Sequence, residues 1–214
     1  MGYYLKLVTA PVAEPWTLAE VKKDRGIHDE DKEFDLALGL LVKAARRWAE
    51  HFTSRCLIEQ TWDLLFPEGF PWLAGRHYVL DPYEIRIPRA PLKVSTGITH
   101  IKYLDTNGTQ QVLVAGTDYN VMDRGEPAII VPAYGTSWPS TRDWTNSSGQ
   151  YPVEVRFIAG YGMQGSAVPE NIRKAMLLLI GHWHENREEV TDLSLATIPA
   201  GAEALLWMDR FFPR

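Results

Sequence analysis

Cysteine is almost missing. Cys56 is the single thiol in 214 residues, so no intramolecular disulfide can staple the fold. That agrees with folding in a reducing compartment. Long apolar runs are missing too. The longest spans residues 175–180, far short of the roughly 20 residues of a membrane-spanning helix. Residues 1–10 lack a basic segment followed by an apolar run, so no signal peptide is read there. There is no basic surplus either: 22 Lys and Arg stand against 27 Asp and Glu, a net charge of −5. A chain whose task was to grip nucleic acid would carry a basic excess. Internal repeats and low-complexity tracts are also absent.

What is present is an ordinary globular composition, 45% hydrophobic and 23% charged. The length suits one large domain or a core with an insert. It is enough to bury a sizeable core without a metal or disulfide. Eight tryptophans is a high number. Such rings fill cores, and they also supply interface area at low entropic cost.

The order of elements reads helix, strands, helix. Thr17-Leu18-Ala19-Glu20 is a capping box that starts a short helix ending near Gly26. Phe34, Ala37, Leu41, Ala44, Ala45, Trp48 and Phe52 recur at helical spacing, predicting a helix over residues 32–54. Strands are predicted over 61–66, 84–88, 98–104, 111–114, 118–122, 127–131 and 153–157. Asp105-Thr106-Asn107-Gly108 marks a hairpin turn. Pro169 opens another helix, apolar nearly all round, and a last helix is predicted over 201–211. The expected fold is α+β: an α-helical bundle (1–57 and 165–214) with an inserted small antiparallel β-sandwich or barrel (58–164). Two long loops interrupt the insert. They carry the aromatic residues Trp72, Tyr134, Trp138 and Trp144, candidates for docking or for folding back over the sheet. A helix apolar on several sides must be covered on several sides. Met176, Leu177, Leu178, Ile180 and Trp183 are therefore candidates for contact with a neighbouring subunit.

No catalytic, metal or cofactor site is expected. Gly160-Tyr161-Gly162-Met163-Gln164-Gly165 matches a dinucleotide fingerprint by letter. However, the predicted helix starts several residues too late, no parallel strand follows, and no acidic residue stands at a strand end about twenty positions on. His182 and His184 point to opposite sides of their helix and cannot readily share a metal. Nothing marks Cys56 as an activated thiolate, no GxSxG elbow is present, and the carboxylates are scattered. Asn146-Ser147-Ser148 fits a glycosylation sequon but reads as loop.

Several segments, in order, resemble one known family. They are Val8-Thr9-Ala10-Pro11; Glu14-Pro15-Trp16-Thr17-Leu18-Ala19-Glu20-Val21-Lys22; and Ala44-Ala45-Arg46 with Glu50, leading into Gln60-Thr61-Trp62. Ile87-Pro88-Arg89-Ala90-Pro91-Leu92 and Tyr103-Leu104-Asp105 follow. Phe157-Ile158-Ala159-Gly160-Tyr161-Gly162, Val168-Pro169 and His182-Trp183-His184-Glu185-Asn186-Arg187-Glu188 close the series. Together they look like the head-to-tail adaptor, or connector, proteins of long-tailed phages and gene transfer agents. The resemblance implies a virion structural protein, not an enzyme, located at the neck. It implies a homo-oligomeric ring of about twelve copies that docks on the portal, joins it to a stopper or tail-terminator protein, and lets double-stranded DNA pass. It places Trp207, Phe211, Phe212 and Arg214 at the portal contact. No membrane partner is implied. The rival readings are a tail-completion or tail-terminator protein, and a small carbohydrate-binding module or hydrolase.

Overall fold

The Thr17 hydroxyl accepts from the Glu20 backbone N–H at 3.2 Å, and the Glu20 carboxylate accepts from the Thr17 N–H at 2.8 Å. This reciprocal cap starts α1 (Leu18–Arg25), which Gly26 ends in the left-handed region at φ 69°. The structure, a computed structural model, describes residues 2–71, 83–142, 150–186 and 199–212. Among them are α2 (Asp35–Thr53), α3 (Glu170–Glu185) and α4 (Ala200–Trp207), and eight strands. The strands are β1 (Tyr4–Thr9), β2 (Gln60–Phe66), β3 (Ile85–Arg86), β4 (Ile98–Leu104), β5 (Gln110–Leu113), β6 (Tyr119–Met122), β7 (Ile129–Pro132) and β8 (Val153–Ala159).

The chain forms two compact units. Residues 11–59 and 161–212 make a helical unit; residues 1–10 and 60–160 make a β unit. The mixed α+β class is as expected, but the sheets are not closed into a barrel. A five-stranded sheet runs β1-β2-β8-β4-β5 and a three-stranded one β3-β7-β6, with every strand pair antiparallel. The first ten residues, assigned to the helical part by the sequence reading, supply the edge strand β1 instead. Five of its six side chains are exposed. The strand therefore shows no alternation of burial, and its pairing with β2 defines it.

The large sheet has two unlike faces. Cross-strand register puts Leu64, Val155 and Ile101 in one buried row, with Phe157 buried beside them. On the other face Lys6, Asp63, Arg156 and His100 form a charged row across four strands. Arg156 donates to both oxygens of Asp63, at 2.7 and 2.9 Å, and Glu154 pairs with His100 at 2.9 Å. Asp63 is itself buried. A fork-to-fork pair of this kind satisfies a carboxylate that would be costly to bury alone. In the β4–β5 turn, the Asp105 carboxylate accepts from the N–H groups of Asn107 and Thr109 and from the Gln111 amide. These bonds, the Gln111 contact foremost, hold its pKa below the usual aspartate range.

In the helical unit the core gathers Val21, Leu38, Val42, Ala45, Ala49, Leu57, Ile58, Ile172, Met176, Ile180 and Leu206. Two ionic centres organise its loops. Arg46 donates to Glu14 at 2.7 Å and to Glu50 at 2.8 Å, and Glu50 also accepts from the Leu57 N–H at 3.0 Å. Burial opposes the charge on Arg46, but the two carboxylates outweigh it and raise its pKa. Lys22, fully buried, donates to the carbonyls of Asp29 and Asp31 and to the Asp35 carboxylate. It thereby folds the α1–α2 connection around one ammonium.

Two predictions follow from these centres. Arg46→Met leaves two partly buried carboxylates without their cation and should cost about 2–4 kcal/mol in denaturant unfolding. An unchanged midpoint would contradict that role. The hydrogen bond from Lys22 lowers the pKa of Asp35. Its stabilising contribution is present above the ordinary aspartate pKa and is lost as pH falls through the lowered folded value. Stability measured between pH 5 and 3 should therefore fall less steeply in Lys22→Met than in the parent chain.

Candidate interaction surface

The last turn of α2 and the segment after α4 bring four aromatic rings together. Trp48 and Phe52 lie one helical turn apart and stack at 5.1 Å. Phe52 meets Trp207 edge-on at 5.7 Å, and Trp207 meets Phe212 at 6.2 Å. The Arg210 guanidinium sits 4.5 Å from the Trp207 ring centre, 4.9 Å from Phe52 and 5.0 Å from Phe212. One cation thus orders three rings through their negative faces. Two bonds fix the segment to the end of α2 and the residues just after it: Phe211 N–H donates to the Thr53 carbonyl at 2.8 Å, and Arg55 Nε donates to the Asp209 carbonyl.

The residues singled out from the sequence separate here into two kinds. Trp207 and Phe212 are about half exposed, at 51% and 52%, and Met208 beside them is 72% exposed. Phe211 is buried and acts as the anchor that holds the segment down. Arg214 lies outside the described residues. The sequence reading missed Phe52, Arg210 and Met208. The closeness of Arg210 to Trp207, Phe211 and Phe212 in the sequence was the available signal.

Of the five residues expected to contact a neighbouring subunit, three are buried within the chain. Met176, Leu177 and Ile180 are buried in the helical core, which includes α2 and α4 residues, and Leu178 and Trp183 are partly buried against it. Of the loop aromatics, Tyr134 is fully exposed. Trp138 folds back: it stacks on Phe70 at 4.8 Å with rings 3° from parallel, and donates its indole N–H to the Tyr83 carbonyl at 2.7 Å. Trp72, Trp144 and the Asn146 sequon lie outside the described residues.

The chemistry weighed from the sequence finds little support in the geometry. Among the described residues, the cleft beside Trp138 has Glu68 as its one carboxylate, with Phe70, Tyr83 and Thr141 among its walls. Hydrolysis of a glycoside calls for a carboxylate pair. No group of three metal-ligating side chains occurs among the described residues. His184 packs edge-on against Phe34, and Cys56 is buried. The glycine-rich stretch serves packing. A Cβ on Gly165 would fall 2.4 Å from the Pro15 carbonyl oxygen, and α3 starts five residues later, at Glu170.

No protein-family model matches the chain, and no curated protein does. Solved structures do. A chain of the neck of an empty gene transfer agent particle, computed with C6 symmetry, superposes with a TM-score of 0.73 at 21% identity. The match covers 98% of this chain and 96% of that one. A chain of the native gene transfer agent virion gives 0.71 at 24%, over 97% and 95%. One from the native neck computed with C12 symmetry gives 0.68 at 24%, over 98% and 96%. The fold is therefore shared with chains of gene transfer agent particles, two of them from the neck, and the likeness runs over nearly all of both chains.

The two kinds of residue in the aromatic segment predict different outcomes. Phe211→Ala should destabilise the chain by about 3–5 kcal/mol, as for a buried aromatic. Trp207→Ala and Phe212→Ala should each shift the unfolding midpoint much less. Equal losses from all three would show that the patch is core.

Proposed function

We propose that this chain is a structural subunit of a particle neck. It works as an adaptor ring that docks on the portal, joins it to the stopper or tail, and leaves a channel for double-stranded DNA. The observation that carries this reading is the nearly end-to-end likeness to chains of gene transfer agent necks. The C12 symmetry of one such neck supports a ring of about twelve copies.

The aromatic patch is the docking element in this reading. Trp and Arg are the side chains that most often dominate binding energy, and here they are already ordered in the free chain. Phe211 and the Thr53 carbonyl hold the segment, so little entropy is lost on binding. The net charge of −5 per copy suits a passage for DNA, because like charges do not retain the phosphates.

The test is cosedimentation of the chain with its cognate portal. Trp207→Ala and Phe212→Ala should each weaken association by roughly tenfold or more, in line with a loss of about 1.4 kcal/mol or above. Truncation after Leu206 should abolish it. Binding that is unchanged by the truncation would rule out this docking element.

A further inference from the structure

The outward side of α2 is unlike an ordinary solvated helix face. Leu36 is 79% exposed and Leu40 60%, and Ala37 and Ala44 are exposed beside them. At about 100° per residue, Leu36 and Ala44 lie some 40° to either side of Leu40, and Arg47 lies about 20° from it. These residues make one continuous stripe down the helix. Its ends carry opposite charge. Four exposed carboxylate residues, Asp29, Glu30, Asp31 and Glu33, precede the helix, while Lys43, Arg47 and His51 are exposed on its second half. Lys43 and Arg47 enter no ion pair among the described residues. They differ in this from Arg46, which is engaged by Glu14 and Glu50.

This pattern is complementary to itself. If two copies of α2 lie antiparallel about a two-fold axis at Leu40, Leu40 meets its own copy and Leu36 meets the partner's Ala44. The small Ala44 leaves room for the larger Leu36, as helix packing requires. The same operation brings Glu33, in the turn just before the helix, level with the partner's Arg47, and so sets the acidic turn against the partner's basic half. The two helix dipoles also run opposite ways. A heterologous contact would need a second, differently shaped surface; an isologous one needs this stripe alone.

We propose that the free chain pairs with a second copy through the exposed face of α2, as a two-fold dimer centred on Leu40. The inference goes beyond the ring reading. A closed ring repeats one heterologous contact and contains no two-fold between neighbours. The α2 pair therefore belongs to the chain before assembly and must open when a ring forms. A single helix pair is smaller than a standard interface, so the dimer is weak and fills at concentrations on the order of 100 μM.

Cysteine crosslinking of the purified chain reads this directly, because the single native thiol, Cys56, is buried. Leu40→Cys should form a disulfide-linked dimer under mild oxidation, since a two-fold sets that position against itself. Adding Glu33→Arg should lower the yield about three- to tenfold, and Glu33→Arg with Arg47→Glu should restore it. Sedimentation of the parent chain at high concentration should show dimer. A Leu40→Cys chain that stays monomeric, in a parent that sediments as monomer, would overturn the proposal. So would a ladder of multimers from Leu36→Cys/Ala44→Cys with no dimer from Leu40→Cys, because that result means a head-to-tail contact. No portal is present in these measurements, so they stand or fall apart from the docking reading.

Discussion

The path of the chain through the helical unit depends most on one partly buried guanidinium. Arg46 lies midway along the long helix and binds Glu14 ahead of it and Glu50 one turn on. Glu50 in turn takes the Leu57 N–H, which turns the chain out of the helix. One cation thus ties together three segments of the unit. Packing has no direction, whereas a forked donor between two carboxylates fixes angles as well as distances. The end of α2 becomes a rigid ledge, and Thr53 and Phe52 on that ledge hold the segment after α4.

That rigidity gives the aromatic patch its value. Exposed tryptophan and phenylalanine are common enough on surfaces, and singly they mean little. Here Trp207 and Phe212 stand around Arg210 over a buried Phe211, so the rings are presented and not merely uncovered. An assembly protein needs such a surface, because every ordered side chain removes part of the entropy that binding would cost. The fold is shared with chains from the necks of gene transfer agent particles. The two carboxylates on the charged sheet face are held by Arg156 and His100.

Signals that are local in sequence could be read without the structure. The Thr17–Glu20 box, the Asp105–Gly108 turn and the alternation of Val153, Val155 and Phe157 each involve neighbours within a few residues, and each forms the predicted element. What depended on distant partners could not be read. β1 has no periodicity of its own, because an edge strand with exposed side chains is defined by its neighbour. Lys22 reads as a surface lysine until the acidic turn folds over it. The all-round apolar pattern of α3 correctly signals cover on several sides, yet periodicity cannot say whose side chains give it. They come from α2 and α4 of the same chain. In the candidate site Trp207 and Phe212 were legible as exposed aromatics. The exchange of roles between Phe211 and its neighbours was not, since one bond to Thr53 decides it.

The most direct test of the neck reading is electron microscopy of the chain mixed with its cognate portal. The account predicts a closed ring of about twelve copies seated on the portal, with Trp207 and Phe212 inside the contact. A chain that remains dispersed beside fully formed portals, or a ring that turns the aromatic patch to solvent, would contradict it.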